Sequence, residues 1–125
     1  MPTTHQTLSD DQVAYLRTQR LGRLATVDRD GAPQNNPVGF RYNAELGTID
    51  VGGRNLAHSK KFRNLANNNR VAFVVDDLPS VDPWQVRCVE IRGYAEALRD
   101  EPPLRPGMSG ALIRIHPERV IAFGI

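Results

Sequence analysis

Ser59-Lys60-Lys61 brings one hydroxyl and two ammonium groups together at what reads as the start of a helix. Phe62, Leu65 and Ala66 recur at i, i+3, i+4 and form one apolar face. Ser59 suits the N-cap, because its hydroxyl accepts an orphan backbone N–H. Asn67-Asn68-Asn69 ends the segment, since Asn competes with the backbone and tolerates left-handed conformations. Cations in a first helical turn oppose the dipole, at a cost of up to about 1 kcal/mol. Free N–H groups, a hydroxyl and two ammoniums aimed at one spot suit a dianion such as a phosphate. Two ordinary solvated lysines are the other reading of the same residues.

No second constellation competes. His5, His58 and His116 lack partners at metal-ligand spacing, and Cys88 stands alone. Asp76 and Asp77 are adjacent, so on a strand end they point apart and read as loop caps rather than an acid–base pair. The Gly52-Gly53-Arg54-Asn55 stretch is too short for a P-loop or a dinucleotide fingerprint. No catalytic residue is therefore named, which is the pattern expected where a cofactor carries the chemistry.

The elements that position the cationic segment follow from pattern. Val71–Val75 is an unbroken apolar run, read as a strand covered on both faces. Ser9-Asp10-Asp11-Gln12 is a capping box opening a helix to about Gln19. Leu21–Asp28 and Pro33–Tyr42 read as a hairpin about the Asp30-Gly31 turn, with Pro37 marking an edge or a break in the ladder. Thr48–Val51 is a short strand. Residues 77–83 and 99–110 are Pro-bearing loops. Trp84–Leu98 is the longest strand, with Gly93 as a bulge candidate. Ala111–Ile115 and Val120–Ile125 close the chain, separated by His116-Pro117-Glu118-Arg119.

With 125 residues and 40% hydrophobic content, residues 1–125 predict a single domain with one core. A net charge of +2, with Lys and Arg never in runs longer than a pair, carries no nucleic-acid signature. No apolar run is long enough for a membrane span, and the first residues lack the basic and apolar regions of a signal peptide. A cytoplasmic protein is expected.

Four stretches in this order, LATVDRDGAPQNNPVGF, SKKFRNLANNNRVAFVVDD, VRCVEIRGYAEAL and IHPERVIAFG, resemble the FMN-binding split barrel superfamily, typified by pyridoxamine phosphate oxidase. The resemblance implies a mainly β, α+β fold: a six- to seven-stranded antiparallel split barrel with two helices. It implies a homodimer with a phosphate-bearing cofactor at the subunit interface. The phosphate falls on Ser59, Lys60 and Lys61. Asn36, Pro37 and Val38 lie along the cofactor ring, with Arg41 as the basic residue near the strand end. Arg87 matches a cross-subunit polar position, although Cys88 stands where the oxidase pattern has Gln. The segment carrying the oxidase substrate motif has no counterpart here. The S-K-K-x-x-N-L helix, which brings in Asn64, and the P-E-R-V-x-x-F-G-I end resemble short deazaflavin-type members. A hydride-transferring oxidoreductase using coenzyme F420 and a small conjugated substrate is therefore expected, with Arg54 and Arg63 placed to meet a long anionic tail. FMN as the cofactor, a non-catalytic FMN or F420 carrier, and a haem protein ligated by His116 or His58 are the alternatives.

Overall fold

A computed structural model of the chain describes residues 3–5 and 7–125. Seven strands alternate with two short helices: β1 (Thr3–His5), α1 (Asp10–Arg17), β2 (Leu21–Val27), β3 (Pro33–Asn43), β4 (Thr48–Gly52), α2 (Lys60–Asn64), β5 (Arg70–Val81), β6 (Trp84–Leu98) and β7 (Leu112–Phe123). A single 3-10 turn over Leu56–His58 precedes α2. All strand pairs are antiparallel, in the order β1-β7-β4-β3-β2-β5-β6, and β6 pairs back onto β7. That last pairing closes six strands into a barrel and leaves few free edges. β1, which the sequence pattern did not signal, is an addition on the outer edge of β7. There β4 occupies Ile113–Ile115 and β1 occupies Val120–Ala122.

Inward-facing side chains fill the barrel. Leu24, Phe40, Ile49, Val51, Phe73, Val75, Val89, Ile91, Ile113, Ile115 and Val120 are buried in one cluster. Phe40 and Phe73 meet edge to face, with ring centroids 5.2 Å apart. α1 adds Tyr15 and Leu16, and α2 adds Phe62 and Leu65. The capping box of α1 is formed: Ser9 Oγ accepts the Gln12 N–H, and Gln12 Oε1 accepts the Ser9 N–H.

Four expectations change. The run Val71–Val75 alternates between buried and half-buried residues, because the outer face of a closed barrel has no second layer. Ala66 is exposed, and the buried place on that side of α2 goes to Asn64. The supposed loop at residues 77–83 is mostly strand: β5 runs on to Val81, and Pro79 falls where the register shifts between Asp77 and Ser80. Proline is tolerated there because β2 pairs with β5 only at Ala72–Val74, so the arm beyond needs no second ladder. His116–Arg119 likewise belongs to an unbroken β7. Pro117 sits at the bulge, where a register shift lies between Arg92 and Gly93. A Cβ on Gly93 would lie 2.0 Å from the His116 carbonyl oxygen, so only glycine lets the two backbones approach this closely.

Candidate functional site

β3 changes partners along its length. It pairs with β2 from Pro33 to Gly39, but with β4 only from Gly39 onward. Residues 33–38 therefore keep one strand edge unpaired among the described residues, and Pro37, which has no N–H to donate, fits such an edge. Side chains of β3 alternate: Val38 and Phe40 are buried, whereas Pro37 and Arg41 are exposed. Pro37, Gly39 and Arg41 thus share the outer face.

A pocket of about 360 Å³ lies on that face, lined by Pro37, Val38, Gly39, Gly52, Gly53, Arg54, Asn55, Leu56, Ser59, Lys61 and Met108. Gly39 and Gly52 are cross-strand partners and form its bare floor. A Cβ on Gly52 would come within 3.1 Å of Leu104 Cδ1 and of Met108 Sδ. The missing side chain therefore lets the 99–111 segment close down on the strands. That segment is tied in place by the Ser109 hydroxyl on the Gly53 carbonyl (2.9 Å) and by the Glu101 N–H on the Gly110 carbonyl (2.8 Å).

The lining contains no carboxylate and two cations, Lys61 and Arg54. Neither is ion-paired among the described residues, whereas Arg23, Lys60, Arg70, Arg87, Arg92 and Arg114 all are. Lys60 turns the other way, its ammonium 3.7 Å from Asp28. Asp28 is a ready partner, because the Ala32 and Asp30 N–H groups, with Lys60 beyond them, hold its carboxyl below the usual range. Ser59 caps α2, accepting the Phe62 N–H at 3.4 Å while donating to the Leu56 carbonyl at 2.6 Å. The first N–H groups of a helix have no intrahelical partner, so Lys60 N and Lys61 N remain as donors beside the Lys61 ammonium. This donor set fits a phosphate group.

Pro37, Val38, Arg54, Ser59 and Lys61 are thus brought together, and Val38 takes part from a buried position. Arg41 lies four residues along the same face, outside the lining. Asn36 and Asn64 belong to a polar chain instead. The Asn64 amide donates to Thr26 Oγ1 (3.0 Å) and to Gln34 Oε1 (3.3 Å), and Gln34 Nε2 donates to Asn36 Oδ1 (2.6 Å). Arg87 grips Asp77 through two hydrogen bonds of 2.9 and 2.6 Å, and its guanidinium stands 5.1 Å from the Tyr15 ring centroid. The Arg87 bonds hold the Asp77 carboxyl below its ordinary range. Burial, then the bond to Asp77, pushes the Tyr15 hydroxyl up. Arg63 lines a separate surface groove with Asp28 and Asp30. His116 is hydrogen-bonded to Glu96 (2.7 Å) and stacked on Tyr94. Burial raises the Cys88 thiol, as expected of a packing residue. Among the described residues, no group of His, Cys, Asp and Glu is arranged to hold a metal, and no helix is long and apolar enough to cross a membrane.

Sequence reasoning missed Gly39, Asn55, Leu104 and Met108. It also missed a neighbouring groove of about 330 Å³ that shares Arg54 and Asn55 and adds His58 and Arg99. The Gly39–Gly52 pairing was the available signal, since two glycines at facing strand positions mark a close approach.

The pattern of the family described as pyridoxamine 5'-phosphate oxidase matches residues 8–122. The 5a,11a-dehydrotetracycline/5a,11a-dehydrooxytetracycline reductase of Streptomyces rimosus is 50% identical over 118 residues, covering 91% of this chain and 81% of that protein. A conserved hypothetical protein of Mycobacterium tuberculosis superposes with a TM-score of 0.73 at 22% identity, over 94% of this chain and 86% of its own. An FAD-binding protein of Mycobacterium smegmatis gives 0.68 at 24% identity, over 95% and 97%.

Proposed function

The chain belongs to the pyridoxamine 5'-phosphate oxidase family, and from that premise we propose an oxidoreductase that holds a phosphate-bearing flavin or deazaflavin on the Pro37–Gly52 face. The observation that carries this reading is the pocket with two unpaired cations, no carboxylate and a glycine floor. Lys61, Arg54 and the first N–H groups of α2 bind the phosphate. Pro37 and Val38 on the unpaired edge of β3 support the ring, and Met108, packed on the Gly52 face, walls the pocket beside it. When bound, the cofactor supplies hydride exchange with a conjugated substrate. Support for reduction of such a substrate comes from the half-identical relative named as a dehydrotetracycline reductase.

Coenzyme F420 is the cofactor we favour over FMN. The pocket runs through Arg54 and Asn55 into a groove bearing Arg99 beside Asp100, so a further guanidinium lies past the phosphate position, where a deazaflavin has a long anionic tail. Such attraction acts only over about 8–10 Å at ordinary salt, and a groove sharing two residues with the pocket lies within that reach. Titration of the apo-protein with each cofactor at one ionic strength tests the choice. Tighter binding of F420, weakened by salt, is expected. Tighter FMN binding, or protein purified with FMN in place, would overturn the choice of cofactor and leave the pocket standing.

The pocket is open on one side, and a second copy is the proposed cover. Residues 77–87 pair only with each other beyond the ends of β2 and β7, and this arm carries Leu78, Val81 and Trp84, the last 68% exposed. Exposed apolar surface of this kind marks an interface. Light scattering of the loaded protein is expected to read two copies; a fully loaded monomer at micromolar concentration would contradict the shared site.

A further inference from the structure

A second groove, of about 400 Å³, adjoins the cofactor pocket on the other side of Pro37, which lines both. Its wall is the α1–β2 connection, Thr18, Gln19 and Arg20, and it continues over Leu21 and Arg23. Resting on the reading that the Pro37 pocket takes the cofactor, we infer that this groove binds the substrate and selects a planar, fused-ring ketone rich in enolic or phenolic oxygens.

Three observations converge. First, the strand register sets Leu21 opposite Gly39, and Gly39 opposite Gly52. Cross-strand neighbours share a face, so one row runs Leu21, Gly39, Gly52 with no side chain on the last two. Leu21 is the open end of that row, because Leu104 and Met108 pack down over Gly52 and Arg105 lies over Gly39. A planar molecule on Leu21 is thereby set beside the cofactor pocket, with Pro37 between the two. Second, Leu21 is 62% exposed, and its outward neighbour on the strand is the charged Arg23. Burying it under an apolar ring recovers surface that water now covers.

Third, the charges are complementary. Arg23 is neutralised by Asp76. Arg20 has no ion-pair or hydrogen-bond partner among the described residues and sits on the groove wall. The groove therefore offers one uncompensated guanidinium, which suits an enolate or a phenolate, or a carbonyl oxygen that gains negative charge when hydride arrives at the conjugated carbon. Thr18 and Gln19 are occupied with each other, the Gln19 amide donating to Thr18 Oγ1 at 3.1 Å, so Arg20 is the recognising group. The half-identical relative named for dehydrotetracyclines acts on a compound of this class.

The experiment is calorimetric titration with a hydroxyanthraquinone, emodin, of the wild-type protein and of Arg20→Gln, Leu21→Asp and, as control, Leu46→Asp. Leu46 is a 54% exposed leucine on the β3–β4 turn, outside both pockets. Apo-protein and cofactor-loaded protein are both titrated. Wild type and Leu46→Asp are expected to bind equally, Arg20→Gln and Leu21→Asp at least tenfold more weakly, and all four to keep cofactor affinity within twofold. Emodin binding that is absent in wild type, or equal in all four proteins, overturns the substrate groove. Because emodin binding to the apo-protein is read separately, failure of cofactor binding would strike the proposed cofactor without touching this result.

Discussion

Lys60 and Lys61 are neighbours in sequence with opposite fates. One residue of helical rotation sends Lys60 to Asp28 and Lys61 into the glycine-floored pocket. That difference was not legible in the sequence, because Asp28 lies on another strand end and its readiness as a partner depends on the backbone donors of its own turn. Asn64 was equally opaque. Helical spacing put Ala66 inside, and the family resemblance gave Asn64 to the cofactor; an amide was needed between Thr26 and Gln34, and Asn64 fills that place. Removing it leaves a buried hydroxyl and a glutamine oxygen without their donor. Asn64→Ala is expected to cost about 1–3 kcal/mol in stability, read by denaturant titration, with cofactor affinity unchanged. Full stability with weakened cofactor binding would instead make Asn64 a ligand contact.

At the scale of elements, β2, β3, β4 and β6 were legible, because alternation and turn glycines are local signals. The extension of β5 and the continuity of β7 were not, since both rest on which strand pairs beyond a proline. Residues 99–110 were rightly read as irregular, and the irregular segment takes in Ala111 as well. What fixes it is long-range: buried Asp50 on β4 takes two hydrogen bonds from Arg114 on β7, at 3.1 and 3.2 Å, and Arg114 also reaches Glu101 at 3.3 Å. Burial alone would raise the Asp50 carboxyl, but bonds from Arg114, Asn43 and Thr48 outweigh it and lower it. A carboxyl lowered in the folded state stabilises above its unfolded value, near 4. That stability is lost as pH falls through the folded value. Wild type should therefore lose stability with acid below about pH 4. Asp50→Asn should be less stable by about 3 kcal/mol at pH 6 and lose less on going to pH 3. Denaturation midpoints at the two pH values check this, and equal acid losses in both proteins would refute the role of Asp50.

For the whole molecule, the closed barrel explains why the site lies outside it. The interior is filled by branched and aromatic side chains, which leaves the proposed cofactor the outer face beside the edge where β3 leaves β4. Mainly antiparallel closure was legible from strand number and hairpin spacing. The exterior shelf was not, because it depends on Gly39 and Gly52 meeting across strands. Whether the cationic pocket holds a cofactor phosphate is tested most directly by absorbance titration of apo wild type, Lys60→Ala and Lys61→Ala with coenzyme F420 and with FMN. Lys61→Ala should weaken binding of the cofactor by roughly 1.5–3 kcal/mol, the scale of a charge-assisted hydrogen bond, with Lys60→Ala changing it far less. Equal affinities for wild type and Lys61→Ala would contradict the account.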